Sequence, residues 1–484
     1  MEASVISLEW YQAQQAEQTF RSQVHQQIDV FLDRLEEQMD TQEEDSPPLW
    51  ELTETVRRER AALTGSIVQA YVEKVYGDYL QQAEARCPHC SHSLNARKPE
   101  PRTVETLVGP VTLPRPYFYC RRCRYGFYPL DEALGLSSHR KQYDVQQAAT
   151  RLALEMPYDE AETLFGELTD VSMSDCTMHG LIEEVGDDVN VLDVCPTTEE
   201  IQIRIAEVAA GKTWKPILVL AIDAANVPTR PEEAKGKGRG RKKIRTRRAP
   251  WKGAYHQAKG FRFFLVDGER IVHLLSWHQI QTEEEMGQAL QQIKEAGLIP
   301  EEQVRLCAIA DGDGWIWKWV NTLFPSARQI LDFYHCASYI HAVAETQYGA
   351  HPLKAQEWLE ATMARLFCNQ GDHVVWGLQR LQPVSPEAEQ AIKDALTYLP
   401  PRLEQIAYGS HRKGGYPIGS GAIESAHRFV GHVRLKRPGA WWYPENSNHV
   451  LALRCAKYNG TFKRVFQRYV NNTRPNTQSS DVQE

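Results

Sequence analysis

The pattern of hydrophobic and polar residues changes along the chain, and the changes mark its organisation. Residues 5–40 and 50–85 carry apolar positions at a helical spacing and are separated by Pro47-Pro48, which predicts two helices in a helical N-terminal region, 1–85. We expect this region to be a hairpin packed on the rest of the chain. An arm for dimerisation, or one that binds DNA ends, is the alternative that the pattern leaves open.

Strand-like alternation first appears between two pairs of cysteines, within residues 86–136. This stretch contains the turn signal Gly109-Pro110 and predicts a small β-hairpin with a pair of cysteines at each end. Residues 137–195 return to a helical pattern, interrupted by a short turn at 169–171. Helix, short turn and helix are the size of a helix-turn-helix DNA-binding unit, but any small helical bundle has the same pattern.

From residue 210 onward the pattern predicts an α/β domain. A continuous apolar strand at 216–222 is followed by a hairpin at 260–276 and a helix. A second buried strand at 304–310, a Trp-rich helix and a short strand at 329–331 come next. This order of elements is typical of an α/β fold with a mixed sheet.

The residues after the last predicted strand show a helical pattern and no strand signal. Residues 338–409 contain helical stretches punctuated by prolines and are predicted to be a helical insertion. The α/β domain would therefore comprise 210–337 and 410–470. The tail, 471–484, is polar and is predicted to be disordered.

The composition is that of a globular protein and excludes several classes. Of the 484 residues, 42% are hydrophobic and 24% are charged. No apolar run approaches the ~20 residues that a membrane span needs, so we expect no membrane partner. The chain begins without the basic and apolar segments of a secretory signal, which predicts a cytoplasmic protein.

The net charge of -8 hides one strongly basic segment. Nine of the fourteen residues at 235–248 are basic: Lys235, Lys237, Arg239, Arg241, Lys242, Lys243, Arg245, Arg247 and Arg248. Such a run can bind the phosphates of a nucleic acid, although a solvated loop has the same composition.

Four of the ten cysteines form two C-x-x-C pairs, Cys87 with Cys90 and Cys120 with Cys123. The missing secretory signal indicates thiols rather than disulfides. Two such pairs supply four thiolates in the tetrahedral arrangement that Zn²⁺ prefers, and four thiolates leave no open position for catalysis. The sequence therefore predicts a zinc ribbon at 86–136 that holds one structural Zn²⁺.

Acidic residues follow two of the predicted buried strands. Asp223 follows the strand at 216–222, and Asp311 follows the strand at 304–310. Neighbouring strands would bring both carboxylates to one edge of the sheet, and Glu424 lies on a later helix with a glycine-rich start. Three converging carboxylates are what two divalent cations need, although each acid alone is also common in turns and helix caps.

The helix that carries Glu424 has a predicted apolar face: Ile423, Ala426, Val430 and Val433. Its other side, with the residues that follow, presents candidate supporting and phosphate-binding residues: His427, Arg428, Arg434, Lys436 and Arg437. A carboxylate with cations beyond it suits a phosphodiester substrate. An ordinary pair of Glu424 and Arg428 on a solvated helix is the simpler interpretation.

Four segments together resemble the DDE transposases of the ISKra insertion-sequence family, which is similar to the Mutator-like transposases: AIDAANVP, ADGDGWIWKWV, LDFYHC and IGSGAIESAHRFVGHVRLKRPGAWW. The resemblance covers roughly residues 85–460 and includes the cysteine pairs and the PLDEALGL that follows them. It implies a ribonuclease-H-like catalytic domain with a helical insertion before the catalytic Glu.

By position, the resemblance implies that Asp223, Asp311 and Glu424 are the catalytic acids and bind Mg²⁺ or Mn²⁺. The LDFYH segment corresponds to the D-x-x-H element of the family. Asp332 and His335 are therefore expected to shape the site without being primary metal ligands.

The reaction that the resemblance implies is two-metal phosphoryl transfer. Water cuts the DNA at the end of the element, and the exposed 3′-hydroxyl then attacks target DNA in line. The expected partners are double-stranded DNA, both element ends and target, and further copies of the chain in a homo-oligomer on that DNA. The basic segment at 235–248, with Arg434, Lys436 and Arg437, is expected to bind DNA, which would place the protein on the nucleoid.

Three other functions fit part of the sequence. A domesticated, non-catalytic DNA-binding protein derived from a transposase would not need the complete set of acids. A different nuclease on the same fold would not need the cysteine pairs and the helical insertion. A zinc-ribbon scaffold would leave the acids after the strands unexplained.

Overall fold

The computed structural model is a mixed α/β structure that describes residues 8–40, 47–231 and 253–474. The predicted basic segment, 235–248, lies outside the described residues, as does the predicted tail from residue 475 onward. The described part of that tail is helical up to Thr473, which corrects the prediction of disorder there. No helix in the described ranges has the length and apolarity that crossing a membrane requires.

Contacts within the chain divide it into two compact units. The first comprises Met1–Glu184 with Phe466–Glu484, and the second comprises Val185–Val465. This division is coarser than the domains expected from the sequence, so the finer boundaries stay predictions.

The first unit begins with two long helices that pack against each other, α1 (Leu8–Asp40) and α2 (Leu49–Val75). The sequence pattern extended the second helix to residue 85, but Tyr76 leaves the helical conformation at φ -115° and ψ 23°. A single turn, α3 (Gly77–Leu80), then leads into the first strand.

Three antiparallel hairpins follow where one was predicted. Their strands are β1 (Glu84–Arg86), β2 (Ser93–Asn95), β3 (Glu100–Thr106), β4 (Gly109–Arg115), β5 (Phe118–Cys120) and β6 (Tyr125–Phe127), paired in order. The predicted hairpin is β3–β4, and Gly109 starts β4 with a φ of 130°, which favours glycine. Val104 and Val111 of this hairpin pack with Val72 of α2, so the hairpin holds α2 in place.

Four helices continue the first unit: α4 (Pro129–Ala133), α5 (Tyr143–Ala153), α6 (Tyr158–Thr169) and α7 (Asp175–Gly186). Helix α6 ends at Asp170, whose φ of 59° is left-handed. Helix α7 starts where Ser174 Oγ accepts a hydrogen bond from the N–H of Thr177 at 3.3 Å. The helix, turn and helix expected from the sequence are present, and their binding to DNA stays a prediction.

The second unit is built on a five-stranded sheet, after two short helices, α8 (Val191–Val194) and α9 (Thr198–Ala209). Its strands are β7 (Ile217–Thr229), β8 (Ala254–Asp267), β9 (Arg270–Ile280), β10 (Arg305–Ala310) and β11 (Arg328–Leu331). Strands β7, β8 and β9 are antiparallel neighbours, whereas β10 and β11 run parallel to β7, in the order β11-β10-β7-β8-β9. Helix α10 (Glu283–Glu295) precedes β10, and α11 (Gly314–Leu323) connects it to β11. The predicted mixed sheet is confirmed.

Strand β7 is longer than the apolar run predicted. It was expected to end at Ile222, but it continues through Asp223 to Thr229 because the residues after Asp223 pair with Ala254–Lys259 at the start of β8. The β8 half of this ribbon is exposed at residues 254–257, whereas Val227, Pro228 and Thr229 of the β7 half are buried. The apolar run stops at Ile222 and the second buried stretch contains a proline, so the apolar pattern did not extend the strand to it.

The predicted helical insertion is present, although it begins inside a helix. Its helices are α12 (Phe333–Tyr348), α13 (Pro352–Phe367), α14 (Gly371–Arg380), α15 (Pro386–Tyr398) and α16 (Tyr408–Lys413). Ile340, Leu366 and Leu378 of these helices pack with Ile309 and Ile330 of the sheet in one core.

The chain then returns to the sheet through a helix of changing pitch. It consists of α17 (Gly421–Ala426), a π-helical segment (His427–His432) and α18 (Val433–Leu435). Helix α19 (Pro444–Asn459) packs on β9, and α20 (Phe462–Thr473) ends the described chain.

Candidate functional site

The four cysteines of the first unit converge on one point. Cys87 and Cys90 lie in the turn between β1 and β2, whereas Cys120 is the last residue of β5 and Cys123 lies in the turn that follows it. All four Sγ atoms lie within 4.8 Å of one another, and Cys90 and Cys120 are 3.6 Å apart. Four thiolates bound to one Zn²⁺ at ~2.3 Å would have this spacing, so the cluster could hold a structural metal such as zinc.

The backbone explains why the two cysteine pairs have the same shape. The residue after the second cysteine of each pair has a left-handed φ, 55° at Ser91 and 53° at Arg124, which turns the chain back over the thiols. A hydrogen bond from the backbone N–H of Cys123 lowers the pKa of Cys120 to about 7. A hydrogen bond with the neighbouring Cys90 raises the pKa of the Cys123 thiol to about 12, and burial and the charge of Cys120 act in the same direction.

Two of the predicted acids meet at one edge of the sheet in the second unit. Strands β7 and β10 are parallel neighbours, and the pair Ala221 and Ile309 is two residues before Asp223 and Asp311. Asp311 directly follows its strand, as predicted, whereas Asp223 lies inside the longer β7. Burial, together with the charges of Asp311 and Glu424, raises the pKa of Asp223 to about 6, although the hydrogen bond from the N–H of Ala224 and the nearby His335 act to lower it.

Asp311 has a similar environment. Burial raises the pKa of its carboxyl group, with the charges of Asp313 and Asp332 adding to the effect. Its Oδ1 accepts a hydrogen bond from the backbone N–H of Asp313 at 3.0 Å, and the exposed Asp313 carboxylate accepts one from Trp315 Nε1 at 3.3 Å. Asp313 therefore serves the turn into α11, and Asp311 is the carboxylate at the end of the strand.

Glu424 reaches the same edge because two buried charged residues hold the start of its helix. Asp332, which is fully buried after β11, accepts a hydrogen bond from the backbone N–H of Ser420 at 2.6 Å. Arg262, buried in β8, donates to the carbonyl of Ala422 at 2.6 Å. The exposed Glu424 side chain forms no ion pair with Arg428 in the described part of the chain, so the simple pair considered from the sequence is not formed.

The three carboxylates are close but do not form a tight cluster. Among the described residues, only the cysteines bring three or more metal-binding atoms of His, Cys, Asp or Glu within 4.8 Å of one another. Ligands of two cations that lie ~3.5–4 Å apart need not meet that limit, because ligands of different ions are farther apart than ligands of one ion. The donor set is all oxygen, which fits Mg²⁺ or Mn²⁺.

Two histidines border the carboxylates. His427 is buried, and its Nε2 lies 3.5 Å from Oδ2 of Asp223. Burial and the neighbouring His432 and Lys436 lower the pKa of His427 to about 3, so its imidazole stays neutral at pH 7. His335 is exposed at the start of α12, and its charge acts on both Asp223 and Asp311.

Asp332 takes the position expected from the sequence. It is the N-cap of α12, with Oδ2 accepting from the backbone N–H of His335 at 3.0 Å, and its other oxygen is bound to Ser420. With both oxygens committed to backbone groups, Asp332 shapes the site without facing it.

The predicted phosphate-binding residues separate into exposed and buried ones. Arg428 and Lys436 are exposed, and Arg437 is half-buried with its Nε donating to the carbonyl of Val433 at 3.3 Å. Arg434 is instead buried, with its guanidinium 4.8 Å from the ring centroid of Trp442, so it does not face solvent as the sequence pattern suggested, and its binding to DNA stays a prediction.

The reason for the buried arginine is the π-helical segment. A π turn contains more residues than an α turn, so the face of the helix rotates after His432. Val433 of the predicted apolar face is consequently 40% exposed, and Arg434 and Leu435 point inward.

An open cleft of about 790 Å³ lies beside the carboxylates. Its lining includes Asp223, Asn226, Glu424, Arg428, Phe429, His432 and Lys436. Anionic and cationic side chains thus face one space, as a metal-bound phosphodiester requires.

The sequence did not point to Arg262 or Arg454, two buried residues that hold the site. Arg454 of α19 donates to the carbonyls of Val430 and Phe429 in the π-helical segment, with an Nε distance of 2.8 Å to Val430. Each is a single arginine within an apolar segment of a strand or helix, and this pattern could have indicated them. A buried arginine needs hydrogen-bond partners, so its presence in such a segment points to a specific contact.

No protein-family model and no curated protein sequence matches this chain. The assignment of function therefore depends on the geometry described above.

Proposed function

We propose that this chain is a DDE transposase of the ISKra type, with a ribonuclease-H-like catalytic domain in the second unit. The sheet supports this fold, because an antiparallel meander β7–β8–β9 is extended on the β7 side by two parallel strands, β10 and β11. A helical insertion separates this sheet from the helix of Glu424, as expected for the family.

One observation carries the proposal: the register of β7 and β10 brings Asp223 and Asp311 to one edge of the sheet, and Glu424 of a third element lines the same cleft as Asp223. The surroundings also agree with metal binding. Asp223 and Asp311 are partly buried carboxylates with raised pKa values, an arrangement that is unfavourable without a cation. Buried Asp332 and Arg262 hold the third acid in place rather than occupying the site.

The residues of the site would have different roles in phosphoryl transfer. Two bound Mg²⁺ or Mn²⁺ ions would supply Lewis-acid charge and an activated water. Asp223, Asp311 and Glu424 would bind them, with His427 fixing the orientation of Asp223. Arg428 would hold the phosphate chain.

The proposed reaction has two steps, cleavage by water and transfer of the cut strand to target DNA. A water oxygen attacks the phosphorus at the end of the element, the bond from phosphorus to the 3′-oxygen breaks, and a 3′-hydroxyl and a 5′-phosphate remain. That 3′-hydroxyl then attacks a target phosphorus in line, and the target strand releases its own 3′-oxygen.

The first unit would contribute binding rather than chemistry. Its four-cysteine cluster has a closed coordination shell, and its helix, turn and helix at α6–α7 would bind element ends. The basic segment at 235–248 would add affinity that is independent of sequence and sensitive to salt. Further copies of the chain would pair the two ends of the element.

The direct test uses the full chain and a plasmid that carries the genomic sequence flanking the coding region on both sides. We expect strand cleavage and joining in Mg²⁺ or Mn²⁺ and none in EDTA. Binding of these ends without cleavage in either metal would favour the non-catalytic DNA-binding protein instead.

A further inference from the structure

The cleft beside the carboxylates is built on a row of side chains along one helix. Glu424, Arg428, His432 and Lys436 follow one another at intervals of four residues, and all four line the cleft. One acid, two cations and one histidine therefore lie in a line that starts at the candidate metal site.

The change of helical pitch keeps this row straight. In an α-helix, residues four apart drift by about 40° around the axis, since each residue turns by about 100°. The wider π turn from His427 to His432 drifts in the opposite sense and offsets this. Arg454 stabilises the wider turn by donating to the carbonyls of Phe429 and Val430.

Phe429 is the feature of the cleft that metal binding does not explain. Its side chain is 53% exposed, although it lies next to Arg428 and lines the same space. Its ring is nearly parallel to that of Tyr458, at 6.5 Å between centroids and 17° between planes. The ring is thus supported from one side while it borders a polar cleft.

An exposed aromatic ring with cations on both sides along the chain suits a nucleotide. A base can stack on the ring while the arginine and lysine bind phosphates on either side of it. A base inside a duplex has both faces covered by its neighbours, so only a base that has left the stack can use the ring. The volume of the cleft, about 790 Å³, is in the ~300–1,000 Å³ range of pockets that bind small molecules, and a single nucleotide is a ligand of that class.

We propose that this cleft binds one unpaired nucleotide of the DNA strand next to the phosphate that is cut. The base stacks on Phe429, Arg428 and Lys436 hold the adjacent phosphates, and the amide of Asn226 faces the edge of the base. This subsite rests on the proposed function, because it places the nucleotide beside the carboxylates. It adds that the substrate is locally unpaired when it reacts.

The test compares Phe429→Ala with Trp376→Ala in the full chain. Trp376 is an equally exposed aromatic residue, 58% against 53%, on α14 of the insertion and outside the cleft. The cleavage rate in Mg²⁺ is measured on two kinds of element end. One kind is fully paired, and the other carries a single mismatch at one of the positions that flank the cut. We expect Phe429→Ala to cut paired ends about tenfold more slowly, mismatched ends to recover most of that loss, and Trp376→Ala to behave as the unchanged chain.

A binding measurement separates this subsite from the proposed function. A 2-aminopurine base is placed at each flanking position, and its fluorescence is followed when the chain binds in EDTA. A rise at one position, absent in Phe429→Ala, supports the subsite even if no DNA is cut. Unchanged fluorescence at every position, or equal cleavage of paired ends by the two variants, would overturn it.

Discussion

The cysteine cluster, which could hold a metal, and the carboxylate cleft, where we propose metal binding, are built in opposite ways. The cysteines come from two short hairpin turns that each place a left-handed residue after the second cysteine, and their four sulfur atoms already lie within 4.8 Å of one another. The carboxylates come from β7, β10 and α17, and they stay farther apart beside an open cleft. Local backbone geometry determines the first site, whereas long-range packing determines the second.

The difference reflects what each site must do with its ion. A closed shell of thiolates holds the ion for the stability of the surrounding hairpins and excludes substrate. An open set of oxygen ligands leaves coordination positions for water and phosphate, but its buried carboxylates repel one another until cations bind. Without metal, the carboxylate site therefore carries an unfavourable electrostatic energy. The cysteine site can avoid such repulsion by keeping its thiols protonated, and it releases those protons when a metal binds.

The largest effect should come from Asp311→Asn. We expect it to lower the rate of DNA cleavage by about 100-fold or more, since it removes a metal ligand at the end of β10, with little change in DNA binding. Asp313→Asn, two residues on, is the matched control and should stay within severalfold of the unchanged chain. Cleavage on an end-labelled fragment and a gel-shift assay measure the two effects. If Asp313→Asn were inactive while Asp311→Asn cleaved DNA normally, Asp313 and not Asp311 would be the metal ligand.

The closed site should lose its ion completely when one thiolate is removed. In Cys120→Ser we expect the single zinc per chain to be absent by elemental analysis, and limited proteolysis to cut within residues 86–136. The second unit should keep its unfolding transition, because its core does not depend on these thiols. Cys176→Ser, an exposed cysteine outside the cluster, is the control. An unchanged chain purified without zinc and still resistant to protease would contradict this part of the account.

A smaller effect is expected from the residue that holds Glu424 from behind. Asp332→Asn keeps the shape of the side chain but loses the charge that binds the N–H groups of Ser420 and His335. We expect cleavage to slow by about 10–100-fold through a weaker apparent affinity for Mg²⁺, since residues behind metal ligands act in this way. Measuring the rate against Mg²⁺ concentration separates this from a general loss of folding. Asp372→Asn, at an exposed site of α14, should change neither quantity.

The smallest effect is a gain in stability. The folded chain holds the pKa of Asp223 at about 6, above its ordinary value of 3.8, so the folded state binds a proton more tightly than the unfolded state. Stability without metal should therefore fall as pH rises from about 4 to 6, and Asp223→Asn should raise the free energy of unfolding by about 1–2 kcal/mol at pH 7. The gain should vanish at pH 4. Urea unfolding in EDTA at both pH values measures it, and a loss of stability at pH 7 would contradict the repulsion described here.

The sequence predicted the parts of both sites that depend on local patterns. The cysteine spacing was sufficient for the cluster, and the apolar strand before Asp311 was sufficient to place that residue at the end of β10. The extension of β7 past Asp223 escaped prediction because the apolar run ends at Ile222 and the buried residues beyond it include Pro228, which argues against a strand. The burial of Arg434 escaped it because one π turn changes which residues face inward. Arg262 and Arg454 depend on partners far away in sequence, which no local pattern contains.

The central claim, that the carboxylates of the second unit form a site for two cations distinct from the cysteine cluster, can be tested by counting metals. The full chain is dialysed against a weak chelator, bound to DNA ends and titrated with Mn²⁺, and electron paramagnetic resonance follows the bound ions. We predict one zinc that survives dialysis and two Mn²⁺ ions with a spin-coupled spectrum, which Asp223→Asn and Glu424→Gln abolish while the zinc remains. A chain that keeps its zinc but binds no more Mn²⁺ than the Asp223→Asn variant would contradict the account.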